Sequence, residues 1–527
     1  MTLPAPIAAM LRTEFYPHHP SDVTLVQSHI SYVLLAGDEV YKIKKPVRFS
    51  FLDFSTLSQR RHFCHEEIRL NRRLAGDVYK GVLAVCRDGV TYRLGAEDDP
   101  QAVEYAVHMR RLPDDRMLDR LLDRNQVSPE MIDRVARRLA DFHRGAATGP
   151  DIAANGDPAA VWQVLEDNYV NARPFRGVTI AEADDDAIQA FARRFLKNHH
   201  DVFHSRQAEG RIRDGHGDLH SEHICYDDGI VIFDCIEFNP RFRCCDVASE
   251  IAFLAMDLDY HDHPEHAAHL VARYSTYAND PGLRRLLPFY QCYRAYVRGK
   301  VDSLKSVEDE VAPGDRAAAR QSADRHFALA YRYTWAHRPL LVVISGLSGT
   351  GKSTLAAALQ TRTGFVHINS DVIRKRLAGL APDSRVRGAY EVGLYSPEHS
   401  ARTYQEMLAA AGRRLADGKG VILDATFQRR ADRDGARRLA RDHGVPLLFV
   451  ECRCTADTAR QRLGARAAEG SGPSDADWNV FLEQRRRYEP FTATEGPYHL
   501  VVDTTSGFTT STRSIEEILR RLQSESP

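Results

Sequence analysis

The stretch Ser345-Gly346-Leu347-Ser348-Gly349-Thr350-Gly351-Lys352-Ser353-Thr354 decides the fold of the C-terminal part of this chain. An apolar run, residues 340–344, precedes it and a helix-favouring run, residues 355–359, follows it, so the stretch turns a buried strand into a helix. Its glycines let successive backbone N–H groups face one anion, and the N-terminus of the helix adds a positive dipole end. The spacing therefore predicts a nucleoside triphosphate site.

Side chains of this stretch have separate predicted roles. Lys352 is expected to reach the β- and γ-phosphates, and Ser353 is expected to hold Mg²⁺. ATP and Mg²⁺ are therefore the predicted cofactors. The other residues expected to surround the nucleotide phosphates are Gly346, Ser348, Gly349, Thr350, Gly351 and Thr354.

Length and composition predict an ordinary globular protein of several units. The chain has 527 residues, and roughly 100–200 residues per domain suggests two to four units. With 71 basic and 72 acidic residues, the net charge of −1 gives no global attraction to nucleic acid or to an anionic membrane. The nine cysteines are scattered, which favours reduced thiols over a disulfide framework. No apolar run approaches the roughly 18 residues of a membrane span, so we expect a cytoplasmic protein without a membrane partner.

The first hundred residues favour a small sheet with one helix. Residues 55–74 have apolar side chains at helical spacing. A mostly helical region is expected from about residue 131 to beyond residue 330. The runs typical of strands are 23–26, 31–35, 40–44, 81–86, 90–94 and 102–109.

A second chemical stretch lies inside the helical region, at Asp214-Gly215-His216-Gly217-Asp218-Leu219-His220-Ser221-Glu222-His223-Ile224. A turn and the apolar run 230–233 follow it, ending at Asp234. Asp218 and Asp234 therefore stand at opposite ends of a loop and a hairpin. In phosphoryl transfer, one such acid handles the acceptor hydroxyl and the other holds a cation.

The segment His216-Gly217-Asp218-Leu219-His220 resembles the catalytic loop of the aminoglycoside phosphotransferase group, within the protein-kinase-like fold. The resemblance implies an α+β domain over residues 1–336. It implies a small sheet lobe at about 20–110 and a helical lobe at about 111–330.

The resemblance also implies roles for individual residues. Asp218 would be the catalytic aspartate and Asp234 a metal ligand. Lys42 would grip the nucleotide phosphates, with Lys44 as its rival on the same strand face, and Glu67 would pair with this lysine. The segment 104–109 would be the linker whose backbone receives adenine.

Position 223 departs from the family pattern. The family has a metal-ligating asparagine five residues after the catalytic aspartate, where this chain has His223. Imidazole is a poor ligand for the hard Mg²⁺ ion, although His223 remains a candidate metal ligand. Two interpretations stay open for this domain, an active phosphotransferase and a nucleotide-binding or regulatory module.

Residues 337–527 alternate strand and helix patterns, which predicts an α/β domain with a five-stranded parallel sheet. Ligands of such sheets collect at the carboxyl ends of the strands. The expected strands are 340–344, 365–368, 420–424, 446–451 and 498–502.

Charged residues follow these predicted strands. Asp371 is a candidate anchor or base for an acceptor hydroxyl, and Arg374 is a candidate for holding a phosphoryl group. Asp424 is a candidate Mg²⁺ ligand. The stretch 470–477 is rich in Gly, Ser, Pro and Asp, which suggests a lid. This lid would place three arginines over the nucleotide, namely Arg460, Arg462 and Arg466.

This C-terminal arrangement resembles phosphate-loop kinases such as gluconate kinase, chloramphenicol phosphotransferase, zeta-toxin-like kinases and polynucleotide 5′-kinases. The domain order resembles bacterial proteins that fuse an aminoglycoside-phosphotransferase-like domain to a kinase-like ATPase domain. We therefore predict an ATP-dependent kinase with two nucleotide sites that acts on a small-molecule hydroxyl. The alternatives are a regulatory N-terminal domain controlling a C-terminal ATPase, and a nucleic-acid 5′-hydroxyl kinase, which the acids interleaved among the arginines of residues 428–433 disfavour. The sequence predicts no oligomeric state.

Overall fold

The chain forms two compact units, Met1–Ala330 and Tyr331–Pro527. The computed structural model describes residues 3–49, 51–309, 311–381, 384, 393–469, 476–492, 495–506 and 508–524. Across these ranges, no helix is both long enough and apolar enough to cross a membrane. Each unit is described separately below.

The first unit combines a sheet with a larger set of helices. Its strands are β1 (Val23–Gln27), β2 (Ser31–Ala36), β3 (Glu39–Lys44), β4 (Arg48–Phe49), β5 (Leu52–Asp53), β6 (Tyr79–Asp88), β7 (Thr91–Gly95), β8 (Ala102–Arg110), β9 (Ile212–Asp214), β10 (Ile224–Cys225), β11 (Val231–Ile232) and β12 (Cys244–Asp246). Its helices are α1 (Ala5–Met10), α2 (Leu57–Ala75), α3 (Leu118–Asp123), α4 (Pro129–Gly145), α5 (Pro150–Ala153), α6 (Pro158–Ala172), α7 (Glu182–Asn198), α8 (His200–Ala208), α9 (Pro240–Arg243), α10 (Val247–Tyr260), α11 (Pro264–Tyr277), α12 (Leu283–Ser306) and α13 (Pro313–Tyr333).

The main sheet of this unit is antiparallel, in the order β1-β2-β3-β8-β6-β7. Helix α2 begins with a capping box, in which the Thr56 side chain and Gln59 satisfy each other's backbone N–H groups. Its buried residues Cys64 and Ile68 pack on one side of the sheet. Residues of α1, including Ile7, belong to a separate apolar cluster with the sheet. Lys42 and Lys44 on β3 and Glu67 on α2 are thereby held within one packed lobe.

Helix α10 anchors the helical lobe of the first unit. All of its residues from Val247 to Leu258 are buried, although Glu250 and Asp257 are acids. Buried acids are costly unless they are hydrogen-bonded, so their partners have structural importance. Those partners are backbone N–H groups of the loop that contains Asp218, which the next subsection describes.

The second unit is an α/β domain. Its five strands are all parallel, in the order β14-β15-β13-β16-β17, which confirms the predicted sheet. The strands are β13 (Leu341–Ser345), β14 (Val366–Asn369), β15 (Val421–Asp424), β16 (Leu447–Arg453) and β17 (His499–Asp503). The helices are α14 (Lys352–Thr363), α15 (Ser370–Leu377), α16 (Pro397–Ala416), α17 (Arg430–Asp442), α18 (Ala456–Glu469), α19 (Trp478–Arg486) and α20 (Phe508–Ser524).

The central strand β13 explains where ligands meet this sheet. Every residue of β13 is buried, as expected for a parallel strand covered on both faces. Its carboxyl end leads directly into the Gly346–Lys352 turn, and β15 ends beside it at Asp424. The strand order therefore brings the glycine-rich turn and the carboxylate to one edge of the sheet.

Candidate active sites

The loop that carries Asp218 in the first unit is fixed by Glu250. Glu250 Oε1 accepts hydrogen bonds from the backbone N–H groups of His216, at 2.7 Å, and Gly217. Gly217 has a φ of +87°, and a Cβ at this position would lie 3.1 Å from the Phe242 carbonyl oxygen. Glycine is therefore required here by both its backbone conformation and the available space.

Asp234 has an uncommon backbone conformation that its neighbours maintain. Its φ is +61°, in the left-handed region that costs non-glycine residues energy. The Asp234 N–H donates to the Tyr79 hydroxyl at 3.2 Å, and the Cys235 N–H donates to Asn71 Oδ1 at 2.9 Å. These two side chains hold the strained turn in place.

Glu67 pairs with both candidate lysines. Its Oε1 lies 2.8 Å from Lys42 Nζ and its Oε2 lies 2.6 Å from Lys44 Nζ. Lys42 also donates to Asp234 Oδ1 at 2.6 Å, whereas Lys44 also pairs with Glu237. The five side chains form one network of two cations and three carboxylates.

The two lysines differ in their contact with a cavity of about 940 Å³. Lys42 lines this cavity together with Asp218 and Asp234, and its side chain is 15% exposed, whereas that of Lys44 is 0% exposed. Burial alone would lower the pKa of Lys42, but Asp234 and Glu67 outweigh burial and hold the pKa well above its usual value. Lys42 is thus the lysine placed to meet a ligand. We refer to this cavity and its acids as the first site.

Two histidines flank Asp218. Asp218 Oδ2 lies 3.5 Å from His220 Nε2 and 3.7 Å from His223 Nδ1. Burial would raise the pKa of Asp218, but His220 and, to a smaller extent, His223 and Arg298 hold it well below its usual value. Asp218 is therefore a carboxylate at neutral pH, able to accept a hydrogen bond from an acceptor hydroxyl.

The prediction that the backbone of residues 104–109 receives adenine does not fit most of this segment. They lie inside β8, whose residues Ala106–Met109 pair with β3 on one side and with β6 on the other. The backbone groups of Ala106–Met109 therefore serve the sheet on both sides. Met109, the last residue of the segment, lines the cavity, and so do the residues that follow it, Arg110, Arg111 and Leu112. The apolar pattern of the segment identified a strand, but its central position depends on pairings that the local sequence does not show.

In the second unit, the glycines of the 346–351 turn lie where side chains cannot fit. Gly346 has a φ of +133°, and a Cβ there would lie 2.5 Å from the Cys452 carbonyl oxygen. Gly349 and Gly351 have φ values of +79° and +85°. Thr350 Oγ1 donates to the Leu347 carbonyl at 2.8 Å and closes the turn.

Lys352, Ser353 and Asp424 meet at this turn. Lys352 Nζ donates to the Leu347 carbonyl at 2.8 Å, and burial lowers the pKa of this lysine. Asp424 is buried and accepts from Asn369 Nδ2 at 2.7 Å. Burial would raise the pKa of Asp424, but His367, Lys352 and a hydrogen bond from Ser353 lower it. The three predicted residues therefore form one polar group at the carboxyl edge of the sheet.

Asp371 and Arg374 line the same cavity, which has a volume of about 490 Å³. Arg374 Nη1 lies 2.5 Å from Asp371 Oδ1, and the guanidinium stacks over Tyr395. Asp371 lies in the first turn of α15, where its backbone N–H donates to Asn369 Oδ1 at 2.9 Å. We refer to this cavity as the second site; its lining also includes Ser348, Gly349, Gly351, Lys352, Ser353, Thr354 and Asp424.

The predicted lid arginines have different environments. Arg462 and Arg466 line the second site, where Arg462 donates to Thr504 and Arg466 donates to the Ala476 carbonyl at 2.8 Å. Arg460 instead stacks on Trp478. Of the predicted lid, residues 470–475 lie outside the described residues.

Comparisons with known proteins agree with the two units. Residues 38–289 match the Phosphotransferase enzyme family, and residues 341–491 match the AAA domain. An uncharacterized protein of Mycobacterium tuberculosis strain H37Rv is 32% identical over 453 residues, covering 85% of this chain and 87% of that protein. An uncharacterized protein of Mycobacterium bovis matches with the same identity and coverage. The chain belongs to the family of these mycobacterial proteins. Its first unit is a phosphotransferase-family domain and its second unit is a P-loop kinase/ATPase-type domain.

Two solved structures are also similar to part of the chain. A putative kinase from Chloroflexus aurantiacus is 22% identical, with a TM-score of 0.29, and covers 36% of this chain and 98% of its own. A gluconokinase from Sinorhizobium meliloti is 21% identical, with a TM-score of 0.25, and covers 36% of this chain and 98% of its own. At these TM-scores the assignment depends on the sequence families and on the mycobacterial relatives.

Sequence reasoning missed several residues of the phosphotransferase-family domain. Tyr79, Asn71 and Glu250 hold the two acidic loops from distant positions, and no local spacing connects them to Asp218 or Asp234. In the P-loop domain, Gln484 was also missed, although its Oε1 accepts from the Ser348 N–H at 2.9 Å. A buried acid within the apolar helix α10 is the one available signal, because such an acid needs a partner.

The donor atoms fit the implied cofactors differently in the two domains. Ser353 and Asp424 offer oxygen donors, which suit Mg²⁺. In the first site, Asp234 offers oxygen, but His223 offers a ring nitrogen that does not suit this ion.

Proposed function

We propose that the chain is an ATP-dependent phosphotransferase with two nucleotide sites, each transferring a γ-phosphoryl group to a hydroxyl of a small molecule. The observation that carries the proposal is the second site. There a glycine-built phosphate turn, the Lys352 ammonium and the Asp371–Arg374 pair line one cavity. Such a cavity can hold both the phosphates and an acceptor.

In the second site, the chain itself would position and neutralise charge. Lys352 and the backbone N–H groups of the turn bind the phosphates, and Arg374 neutralises charge that develops on the transferring group. Asp371 orients the acceptor hydroxyl through its carboxylate. Ser353 and Asp424 would hold Mg²⁺, which when bound supplies further charge neutralisation at the phosphate oxygens.

In the first site, Asp218 would be the proton acceptor. The acceptor oxygen bonds to the γ-phosphorus while the bond from that phosphorus to the ADP oxygen breaks, and the hydroxyl proton passes to Asp218. The products are a phosphomonoester and ADP. Lys42, fixed by Glu67, binds the nucleotide phosphates.

Both cationic and acidic side chains line the cavity of the first site. Arg298, Arg241 and Lys300 line the cavity, and burial lowers the pKa of Lys300 to about 8. Asp167 is an acid in the same part of the lining and is 52% exposed. The whole lining carries six basic and five acidic side chains, so its charge does not select a class of acceptor.

One observation favours a second candidate function, in which the first unit is a regulatory nucleotide-binding module. His223 replaces the asparagine of the family pattern, and its Nε2 lies 3.5 Å from Asp234 Oδ2. If this change removes turnover while nucleotide still binds, the first unit would control the ATPase of the second.

Phosphorylation of a pooled metabolite extract by the full chain with ATP and Mg²⁺, followed by mass spectrometry, tests the proposal. Asp218→Asn is expected to abolish one phosphorylated species and Lys352→Ala another. The matched controls are Asp201→Asn and Lys197→Ala, at exposed positions of α8 and α7, which should lose neither.

Three results would contradict the two-site proposal. If Asp218→Asn changes no product while Lys352→Ala abolishes all of them, the regulatory alternative replaces it. ATP hydrolysis without any phosphorylated product indicates an ATPase. A product confined to oligonucleotide 5′ ends, with binding that weakens steeply with salt, indicates a nucleic-acid kinase.

A further inference from the structure

His223 has the hydrogen bonding of a metal-ligating histidine. Its Nδ1–H donates to the Asp218 carbonyl oxygen at 2.9 Å, which leaves the lone pair on Nε2. That Nε2 lies 3.5 Å from Asp234 Oδ2. Metal-ligating histidines almost always donate their other ring N–H to a carbonyl or carboxylate, which fixes the tautomer and the ring orientation.

The distance between the two free donor atoms also suits a shared ion. Metal bonds of about 2.0–2.2 Å to nitrogen and oxygen place neighbouring ligand atoms about 3.0–3.4 Å apart in octahedral or tetrahedral geometry. The 3.5 Å separation of His223 Nε2 and Asp234 Oδ2 is close to this range. A small side-chain rotation would bring both atoms onto one cation.

A second imidazole lies beside the first. The rings of His220 and His223 are 4.1 Å apart between centroids. His220 is 1% exposed, and its Nε2 and Nδ1 lie 3.5 Å from Asp218 Oδ2 and Glu222 Oε2, respectively. Donor atoms of Asp218, His220 and His223 all lie within 4.8 Å of one another. The cluster therefore places a further imidazole and a further carboxylate next to His223.

This donor set does not match Mg²⁺, the ion that kinase families generally use. Mg²⁺ prefers oxygen ligands, whereas imidazole nitrogen suits transition metals. We propose that the first site selects a divalent transition-metal ion, held by His223 Nε2 and Asp234, over Mg²⁺. The proposal rests on the proposed nucleotide site only for the remaining ligands, which are phosphate oxygens or water.

Pulsed electron paramagnetic resonance of Mn²⁺ on the full chain with ADP tests this inference without turnover. Mn²⁺ is paramagnetic and, unlike Zn²⁺, has little affinity for the nine free cysteines. An imidazole ligand gives nitrogen modulation, which the oxygen donors Ser353 and Asp424 of the second site do not. We expect nitrogen modulation in the wild type, and in Ser353→Ala, which weakens the second metal position.

His223→Asn supplies the decisive comparison, because its amide can still donate to the Asp218 carbonyl but offers oxygen to a metal. We expect it to lose the nitrogen modulation and to lower the ratio of Mn²⁺ to Mg²⁺ affinity about tenfold. His204→Asn, at an exposed position of α8, should change neither. Thermal unfolding of each variant shows that the fold is kept, and Asp234→Asn should weaken Mn²⁺ binding as a second test.

The inference is overturned if bound Mn²⁺ shows no nitrogen modulation in the wild type, or if modulation survives unchanged in His223→Asn. The inference is also overturned if the ratio of Mn²⁺ affinity to Mg²⁺ affinity is the same in the wild type and in His223→Asn. Failure of the proposed function has a different signature, namely nitrogen modulation that depends on His223 in a protein whose first site phosphorylates nothing.

Discussion

The two sites prepare their lysines for a phosphate in opposite ways. In the first site, Lys42 already lies within 2.8 Å of carboxylates from Glu67 and Asp234. In the second site, Lys352 donates to a backbone carbonyl, and burial lowers its pKa. Direct ion pairs hold the first lysine, whereas the direct partner of the second is a carbonyl, and a bound phosphate would add to the counter-charge of Asp424.

This difference shows what holds each site in shape. The first site depends on a buried network of side chains that come from three distant segments of the chain. The second site depends on a short backbone turn whose glycines adopt conformations closed to other residues. Substitutions should therefore affect folding most in the first site and ligand binding most in the second.

The largest expected effect is that of Lys44→Ala. Lys44 is fully buried between Glu67 and Glu237, and its removal leaves these buried carboxylates with one cation fewer. Breaking a buried ion pair on one side costs about 3–5 kcal/mol. We expect the free energy of unfolding of the first unit to fall by that amount, measured in urea by fluorine NMR of fluorotryptophan at Trp162.

Lys42→Ala is the matched control for this experiment. Lys42 lines the cavity, so its loss should weaken nucleotide binding at the first site more than it lowers stability. Equal losses of stability in the two variants would show that the two lysines do not have separate roles. Trp478 reports the second unit, whose transition should stay unchanged in both variants.

The second prediction concerns His216 and acid. Its Nε2–H donates to the Phe233 carbonyl at 2.9 Å and its Nδ1 accepts from the Asp218 N–H at 3.3 Å, so the buried ring is neutral. Burial lowers the pKa of His216 to about 4, from 6.5. As pH falls from 6.5 to about 4, His216 takes up a proton in the unfolded chain but stays neutral in the folded one. The contribution of the neutral ring to the free energy of unfolding is therefore complete above pH 6.5 and is lost towards pH 4.

Over that window the loss attributable to His216 is about 3 kcal/mol, since each pKa unit corresponds to about 1.4 kcal/mol. The measurement is the free energy of unfolding of the first unit at a series of pH values. His216→Gln keeps hydrogen-bonding capacity without titrating, so the difference in slope between it and the wild type isolates this group. Parallel slopes would mean that His216 does not titrate as the buried geometry implies.

The contrast between the two sites also explains what the sequence could predict. The phosphate turn is contiguous, so residues 345–354 and the flanking strand and helix patterns were sufficient to place Lys352 and Ser353. The parallel sheet followed from the alternation of strands and helices. The position of Asp424 beside the turn followed from the rule that ligands collect at the carboxyl ends of parallel strands.

The first site was predictable only in part. The contiguous His216–Asp218 segment identified the loop that carries Asp218. The supports of this loop and of the Asp234 turn, namely Glu250, Asn71 and Tyr79, act across more than thirty residues of sequence. Spacing alone could not decide between Lys42 and Lys44, because Glu67 contacts both. That choice depends on which lysine faces the cavity, a property of the packed lobe.

The third prediction tests the backbone turn of the second site. In Gly346→Ala, the new Cβ would lie 2.5 Å from the Cys452 carbonyl, in a backbone conformation with a φ of +133°. The turn must shift, so we expect nucleotide affinity at the second site to fall about 100-fold. Calorimetric titration with ADP measures it, in a Lys42→Ala background that weakens the first site.

Gly418→Ala is the control for backbone strain alone. Gly418 also has a positive φ, +73°, but a Cβ there meets its nearest atom at 4.0 Å, away from the turn. This variant should lose about 1 kcal/mol of stability and keep its ADP affinity. If both glycine variants bind ADP as the wild type does, the turn does not cradle phosphate.

The smallest expected effect is a difference between the two sites in the pH dependence of their ADP affinity. Because burial lowers the pKa of Lys352 below 10.5, this ammonium group loses its positive charge at a lower pH than that of an exposed lysine would. A bound phosphate favours the charged form, so binding above the lowered pKa requires proton uptake and weakens with rising pH. As pH rises towards 10.5, the usual pKa of lysine, we therefore expect ADP affinity at the second site to fall.

The first site should not follow this trend, because Asp234 and Glu67 outweigh burial and hold the pKa of Lys42 well above its usual value. Its ADP affinity, measured in the Gly346→Ala background, should stay nearly constant over the same pH range. Lys352→Arg provides the test of cause, since arginine keeps its charge and should remove the pH dependence of the second site. A parallel fall in both sites would mean that the lysines share one electrostatic environment, which the ion pairs of Lys42 and the backbone partner of Lys352 contradict.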